Sequence, residues 1–313
     1  MDRLDPSVVV DALHQSGLLL VDRGGAGDEE LRELREVAGR WFEQPDHVKR
    51  ADAMSRFGRT WRGWFEVGGE LTAGRPDGKE GWYFGTDLPS DDPRVRAGTP
   101  LHGPNPTPTG VGELGGAVDA WMRFATGVGH ALLVSVAEGL GLPGDWFRRS
   151  WCADPVVLFR IFRYPPEREV SEGMGVQQHT DYGLLTVLAH DGTPGLQALI
   201  SDEWVDVPAD PGLLVVNIGD MLERATGGFL RSTLHRVRSQ SSERYSFPLF
   251  LDPGWDVSVD LLPLDPARFP PVGGEANRWD DVDPLTDSLF NGEWTYGEYL
   301  TRKVGRVFPD LMA

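Results

Sequence analysis

His179 and Asp181 stand two residues apart in the segment Gln178-His179-Thr180-Asp181-Tyr182-Gly183-Leu184-Leu185-Thr186. On an extended strand, side chains at i and i+2 leave the same face, so an imidazole and a carboxylate at this spacing can reach one metal ion. A third ligand has to come from elsewhere in the chain. His235, in Thr233-Leu234-His235-Arg236-Val237, is the best candidate, on a separate run with apolar alternation. Two histidines and one carboxylate on one face of an octahedral ion leave the opposite face open. That is the arrangement of non-haem iron(II) oxygenase sites, where cosubstrate, substrate chemistry and O2 share the metal. A His-X-Asp triplet alone recurs by chance, so the rest of the chain has to support it. His14 and His130 fall on predicted helices, His47 and His102 in loops, and His190 before a turn. None of these five has a carboxylate at ligand spacing on a strand, and they read as core or surface residues.

Arg244-Tyr245-Ser246 begins nine positions after His235 (244 − 235 = 9). A guanidinium pairs bidentately with a carboxylate, and a hydroxyl one strand period away can add a hydrogen bond on the same face. The pair suits the far carboxylate of a dicarboxylate whose keto-acid end chelates the metal. The bland alternative is a surface arginine after a hairpin. Its place just before the apolar run Phe247 to Leu251 favours burial.

These residues need strands to position them, and the chain from Asp154 onward supplies the pattern. Short apolar runs at 156–163, 184–189, 196–200, 213–218, 233–238 and 245–251 are separated by Gly, Pro and Asp clusters. Many short strands with turn signals predict a barrel or jelly roll rather than alternating βα units. Upstream, residues 7–22 read as a short helix followed by a strand, closed by Gly24-Gly25. Asp28 reads as the N-cap of a helix running to Gln44, which Pro45 ends. Residues 55–112 read as irregular, with enough aromatics to form a folded wall. A scaffold helix is predicted over about 115–139 and a last helix over about 296–307. The simplest organisation is one domain over 1–313. It comprises a helical region to about 152, a β-rich catalytic core over about 153–252, and an extension with a helix over about 253–313.

A formal charge of −18 and a pI near 4.7 give a field that repels phosphate backbones and anionic lipid surfaces, against nucleic-acid or membrane partners. Cys152 is the single cysteine, so no intrachain disulfide forms, which fits a reducing cytoplasm. The first ten residues lack a basic start followed by an apolar stretch, and no apolar run is long enough to span a bilayer. The expectation is a cytoplasmic protein acting on a small molecule, with its oligomeric state left open.

The combination of fragments is specific where each alone is weak. Phe162-Arg163-Tyr164-Pro165-Pro166, His179-Thr180-Asp181, Pro194-Gly195-Leu196-Gln197, Asn217-Ile218-Gly219-Asp220, His235-Arg236-Val237 and Arg244-Tyr245-Ser246 follow one another in a familiar order. With Asp77-Gly78-Lys79-Glu80, Gly103-Pro104-Asn105 and Gly139-Leu140-Gly141-Leu142-Pro143 upstream, the sequence resembles the isopenicillin N synthase-like non-haem iron oxygenases over nearly its whole length. The resemblance implies an α+β fold with a distorted double-stranded β-helix (jelly roll) flanked by N-terminal helices and a C-terminal helix. It implies iron(II) on His179, Asp181 and His235, and 2-oxoglutarate on Arg244 and Ser246 with Tyr164 helping. The reaction implied is hydroxylation, desaturation or oxidative cyclisation with O2, yielding succinate and CO2. Where many plant members have Asn-Tyr-Tyr-Pro, this chain has Phe162-Arg163-Tyr164-Pro165, so the Asn contribution is absent. Within that fold an oxidase needing no 2-oxoglutarate remains open, as does a catalytically silent jelly-roll binding module. A narrower likeness, through Gly69-Glu70-Leu71-Thr72-Ala73-Gly74, Arg163-Tyr164-Pro165-Pro166 and His179-Thr180-Asp181-Tyr182-Gly183-Leu184-Leu185, is to the bacterial ethylene-forming enzyme, which uses 2-oxoglutarate and binds arginine. It implies Glu70, Thr72, Arg163 and Tyr182 as substrate-pocket residues. Phe250, two strand periods beyond Ser246, is a further candidate wall residue.

Overall fold

A computed structural model describes residues 4–166, 174–272 and 293–308. The first helix, α1 (Pro6–Ser16), starts where the Asp5 carboxylate accepts from Ser7 N at 2.8 Å, and it ends at Gly17. Gly17 takes a left-handed φ of 65°, and a Cβ there would lie 2.1 Å from the Arg231 carbonyl oxygen. Glycine alone meets both demands. Strand β1 (Leu18–Asp22) follows, then α2 (Asp28–Phe42). Asp28 is the first helical residue of α2 rather than its cap. Gly27 precedes it at φ 74°, and the Asp28 carboxylate pairs with Arg23 at 2.5 Å.

The region to residue 152 is less purely helical than its sequence implies. Besides α3 (Asp46–Lys49), α4 (Pro93–Arg96), the long α5 (Glu113–Gly139) and α6 (Trp146–Ser150), it holds four strands beyond β1. These are β2 (Gly63–Phe65), β3 (Leu71–Thr72), β4 (Arg75–Pro76) and β5 (Glu80–Gly85). All residues of β2 and β5 are buried, so neither shows the two-residue alternation that marks a half-exposed strand.

Eight strands follow: β6 (Pro155–Tyr164), β7 (Met174–His179), β8 (Leu185–His190), β9 (Leu196–Ile200), β10 (Glu203–Asp206), β11 (Leu213–Ile218), β12 (His235–Arg238) and β13 (Arg244–Gly254). The short α7 (Asp220–Ala225) separates β11 from β12, and α8 (Tyr296–Val307) follows the strands. A capping box between Thr295 and Glu298 starts α8. A seven-stranded sheet runs β1-β11-β8-β13-β6-β5-β2, a four-stranded sheet runs β10-β9-β12-β7, and β3-β4 is a small hairpin. Every strand pairing is antiparallel. The outcome is the expected α+β jelly-roll core, with both larger sheets lining one cavity. Helix α5 packs on β8 and β13 while α1 and α2 pack on α5, so the helices shield the back of the large sheet. Among the described residues no helix is long and apolar enough to cross a membrane.

Candidate metal centre and its cavity

His179 is the last residue of β7 and His235 the first of β12, and the two are direct partners in the antiparallel register. Asp181 differs from the sequence expectation: β7 stops at His179, and Asp181 lies in the connection to β8. Strand alternation therefore does not aim its carboxylate, whereas hydrogen bonds do. Asn217 Nδ2, from β11, donates to Asp181 Oδ2 at 2.7 Å, and the Thr186 hydroxyl donates to the same oxygen. The backbone is tied by Asp220 N to Asp181 O at 2.8 Å. With Oδ2 taken, Oδ1 faces the two imidazoles, 4.0 Å from His179 Nε2 and 3.8 Å from His235 Nε2.

Each imidazole is oriented through its other nitrogen. His179 Nδ1 donates to the Gln177 carbonyl at 2.8 Å and His235 Nδ1 to the Thr233 carbonyl at 3.0 Å. That tautomer leaves both Nε2 lone pairs pointed inward, as metal ligation requires. Burial first, then neighbouring His235, pushes the His179 imidazole down to about 4, so it is neutral near pH 7. For Asp181, burial raises the carboxyl pKa, but His235, His179, Asn217 and Thr186 outweigh it, and the carboxylate is held below its usual range. The three ligand atoms lie within 4.8 Å of one another, so one ion can reach them all.

These residues line a cavity of about 550 Å³ between the two sheets. Along β6, alternate residues Leu158, Arg160, Phe162 and Tyr164 face it, and along β13 so do Arg244, Ser246, Pro248, Phe250 and Asp252. Arg244 is fully buried and sits opposite Tyr164 in the register. Its Nε donates to the Thr193 carbonyl at 3.3 Å, while its buried Nη1 has no hydrogen-bond partner. The Tyr164 and Ser246 hydroxyls lie 3.4 Å apart beside it. A guanidinium nitrogen orphaned next to two hydroxyls fits the far carboxylate of a dicarboxylate.

Of the residues implied by the narrower likeness, Glu70, Thr72 and Tyr182 line the cavity, as does Phe250, the wall candidate beyond Ser246. Glu70 is already engaged, by Lys79 at 2.7 Å and by the Tyr83 hydroxyl, and Thr72 donates to Asp77 at 2.7 Å. Arg163 is a correction. Strand parity turns it to the opposite face from Phe162 and Tyr164, where it pairs with Glu80 at 2.6 Å and Glu243 at 2.5 Å. Tyr83, from the expected aromatic wall, lines the cavity, and so do residues to which the sequence reading gave no role, among them Arg160, Lys79 and, beside Asp181, Asn217 and Thr186. Asn217 stood in a quoted fragment without a role. His190, read from sequence as a bland residue, is buried directly opposite Ser246.

Residues 154–253 match the model of the 2OG-Fe(II) oxygenase superfamily, and residues 7–110 match that of the non-haem dioxygenase N-terminal region named for morphine synthesis. The chain is 36% identical over 328 residues to a Dictyostelium discoideum protein named "Probable iron/ascorbate oxidoreductase", covering 97% of this chain and 88% of that one. It is 32% identical to a 2-oxoglutarate-dependent dioxygenase of Penicillium crustosum, over 80% of this chain and 78% of the relative. A solved Caulobacter crescentus structure assigned to the 2OG-Fe(II) oxygenase family superposes with a TM-score of 0.76 at 27% identity, over 96% and 93% of the two chains. Fold, cavity and relatives together define a non-haem iron oxygenase. The chain belongs to the 2OG-Fe(II) oxygenase superfamily and is an iron(II)- and 2-oxoglutarate-dependent dioxygenase that uses O2.

Proposed function

We propose that His179, Asp181 and His235 hold the iron, that Arg244, Ser246 and Tyr164 hold 2-oxoglutarate, and that one domain spanning residues 1–313 oxidises a small molecule in the cavity beside them. The observation carrying this reading is the shared cavity: three convergent ligand atoms at one place, and a buried guanidinium with an orphaned Nη1 at another. A cytoplasmic setting belongs to the same proposal, supported by the lone, buried thiol of Cys152.

When bound, iron(II) activates O2 at the expense of 2-oxoglutarate, which leaves as succinate and CO2. The chain's own groups do the positioning. Gln177 and Thr233 fix the imidazole tautomers, and Asn217 and Thr186 restrict Asp181 to one ligating oxygen. Arg244 neutralises and orients the far carboxylate, with the Ser246 and Tyr164 hydroxyls supplying further hydrogen bonds. Apolar walls from Leu158, Phe162 and Phe250 exclude water from the reacting groups. Reconstituting metal-free protein with iron(II) should give O2 uptake and succinate formation that both require 2-oxoglutarate. His179→Ala and Asp181→Ala should abolish both; turnover retained by either variant in metal-controlled assays, or O2 uptake indifferent to 2-oxoglutarate, sinks the proposal.

A further inference from the structure

Arg160 is a buried cation for which the metal and cosubstrate sites have no use. It is 6% exposed, lies on β6 and faces the cavity. Its Nη1 donates to the carbonyls of Phe84 at 3.2 Å and Phe159 at 3.1 Å. The guanidinium carbon sits 3.4 Å from the Tyr83 ring centroid and 5.7 Å from that of Phe250. Among the described residues no carboxylate forms an ion pair with it. Glu70, behind Tyr83, reaches Arg160 through its field rather than by contact, its carboxylate being hydrogen-bonded by Lys79 and the Tyr83 hydroxyl. Asp252, another acid on that wall, has its carboxyl pushed up to about 7 by burial, so it is a weak counter-charge. A guanidinium withdrawn from water without a carboxylate is costly unless a ligand completes it.

Arg160 and Arg244 enter the cavity at different places along its wall. Arg244 pairs with Tyr164, four residues along β6 from Arg160, which separates the two rows by ~13 Å at the rise of a strand. The cavity therefore has two guanidinium stations, one beside the hydroxyls of Tyr164 and Ser246 and one among Tyr83, Leu158, Phe162 and Phe250.

We propose that Arg160 binds a carboxylate of the substrate to be oxidised, so that the substrate is an organic acid whose apolar body rests on Tyr83, Phe162 and Phe250. This rests on the reading in which Arg244 holds 2-oxoglutarate. A planar guanidinium pairs with a carboxylate and would be neutralised by it, a charge that the carbonyls of Phe84 and Phe159 do not supply, and the surrounding rings offer apolar contact. A neutral amide of the same shape gains no such pairing.

The test uses the full chain loaded with manganese(II), which binds oxygen and nitrogen ligands without turnover, and saturated with 2-oxoglutarate. Phenylacetate, 3-phenylpropionate and hexanoate are titrated calorimetrically against phenylacetamide, 3-phenylpropionamide and hexanamide. At least one acid should bind tenfold or more tightly than its amide. Arg160→Gln should erase that preference while leaving the Kd of 2-oxoglutarate within threefold, and Arg160→Lys should keep part of it. The proposal is overturned if no acid outbinds its amide, if the Gln variant keeps the preference, or if it loses 2-oxoglutarate equally. Should the Gln variant not fold, the acid–amide comparison in the unaltered protein and the Lys variant decide. Wild-type protein that fails to bind 2-oxoglutarate would instead sink the metal and cosubstrate reading, so the two failures are distinguishable.

Discussion

Asn217 donates from β11 to Asp181 Oδ2 at 2.7 Å, and this bond, with that from Thr186, decides which carboxylate oxygen faces the two imidazoles. Partners that orient a metal ligand are worth about 10–100-fold in metal affinity. Asn217→Ala should therefore weaken iron(II) or manganese(II) binding by about that range, with the fold intact by circular dichroism. Calorimetric titration of the metal checks it. An unchanged Kd would show that Thr186 and the backbone suffice to hold Asp181.

Arg244 separates cosubstrate binding from chemistry. Removing one member of a buried, hydrogen-bonded charge pair costs about 2–5 kcal/mol. Arg244→Gln should thus raise the KM for 2-oxoglutarate by about a hundredfold or more, while kcat at saturating cosubstrate changes far less. Steady-state succinate formation over a range of 2-oxoglutarate concentrations reads the split. A fall in kcat with KM unchanged would place the anchor elsewhere.

The metal-binding and cosubstrate-binding candidates were legible because each stands in a short fragment whose residue types serve one chemistry: His179-Thr180-Asp181, His235-Arg236-Val237 and Arg244-Tyr245-Ser246. The jelly roll was legible from turn-separated apolar runs, several of which match the observed strands within a residue or two at each end. What escaped the sequence did so for physical reasons. In Phe159-Arg160-Ile161-Phe162-Arg163, both faces of β6 are largely buried, so polarity gives no parity signal to tell the inward Arg160 from the outward Arg163. Strand β5 shows no alternation, being buried throughout, and its Trp82, Tyr83 and Phe84 read as an irregular aromatic wall. The two oxygens of Asp181 became distinct only once β11 lay beside β8 and brought Asn217 opposite Thr186.

His190 should make stability depend on pH. Burial, followed by the Arg244 charge, pushes its imidazole down to about 4 from an ordinary value of 6.5. The unfolded chain then binds the extra proton between those values, so stability falls as pH drops through the window and is retained above it. Asp220 and Asp252, whose carboxyls burial pushes up to about 7, act with the opposite sign, so the informative quantity is a difference between proteins. Between pH 7 and pH 5, metal-free wild type should lose about 2 kcal/mol more unfolding free energy than His190→Gln. Urea unfolding at the two pH values measures it; equal losses would mean that His190 is solvated or already charged in the folded state.

Glu80, the first residue of β5, and Lys79, just before it, are sequence neighbours with opposite duties. Lys79 lines the cavity, whereas Glu80 binds Lys49 at 2.9 Å, Trp64 Nε1 at 2.8 Å and Arg163 at 2.6 Å. Glu80 thereby ties α3, β2 and β6 together at a point where its own side chain is 3% exposed and that of Lys49 is 7% exposed. Removing it leaves a buried ammonium without its strongest partner, a change that costs about 3–5 kcal/mol. Glu80→Ala should lower the unfolding free energy by about that amount. Arg163→Gln should cost less, since the Arg163 side chain is 20% exposed and water can replace part of what Glu80 loses. Both variants should leave the Kd of 2-oxoglutarate close to wild type at a temperature where they remain folded, because neither side chain lines the cavity. A Glu80→Ala protein as stable as wild type would mean that Lys49 finds sufficient compensation in Asp46 at 3.3 Å, the Phe42 carbonyl at 3.5 Å and the Trp64 ring, whose centroid is 5.1 Å away.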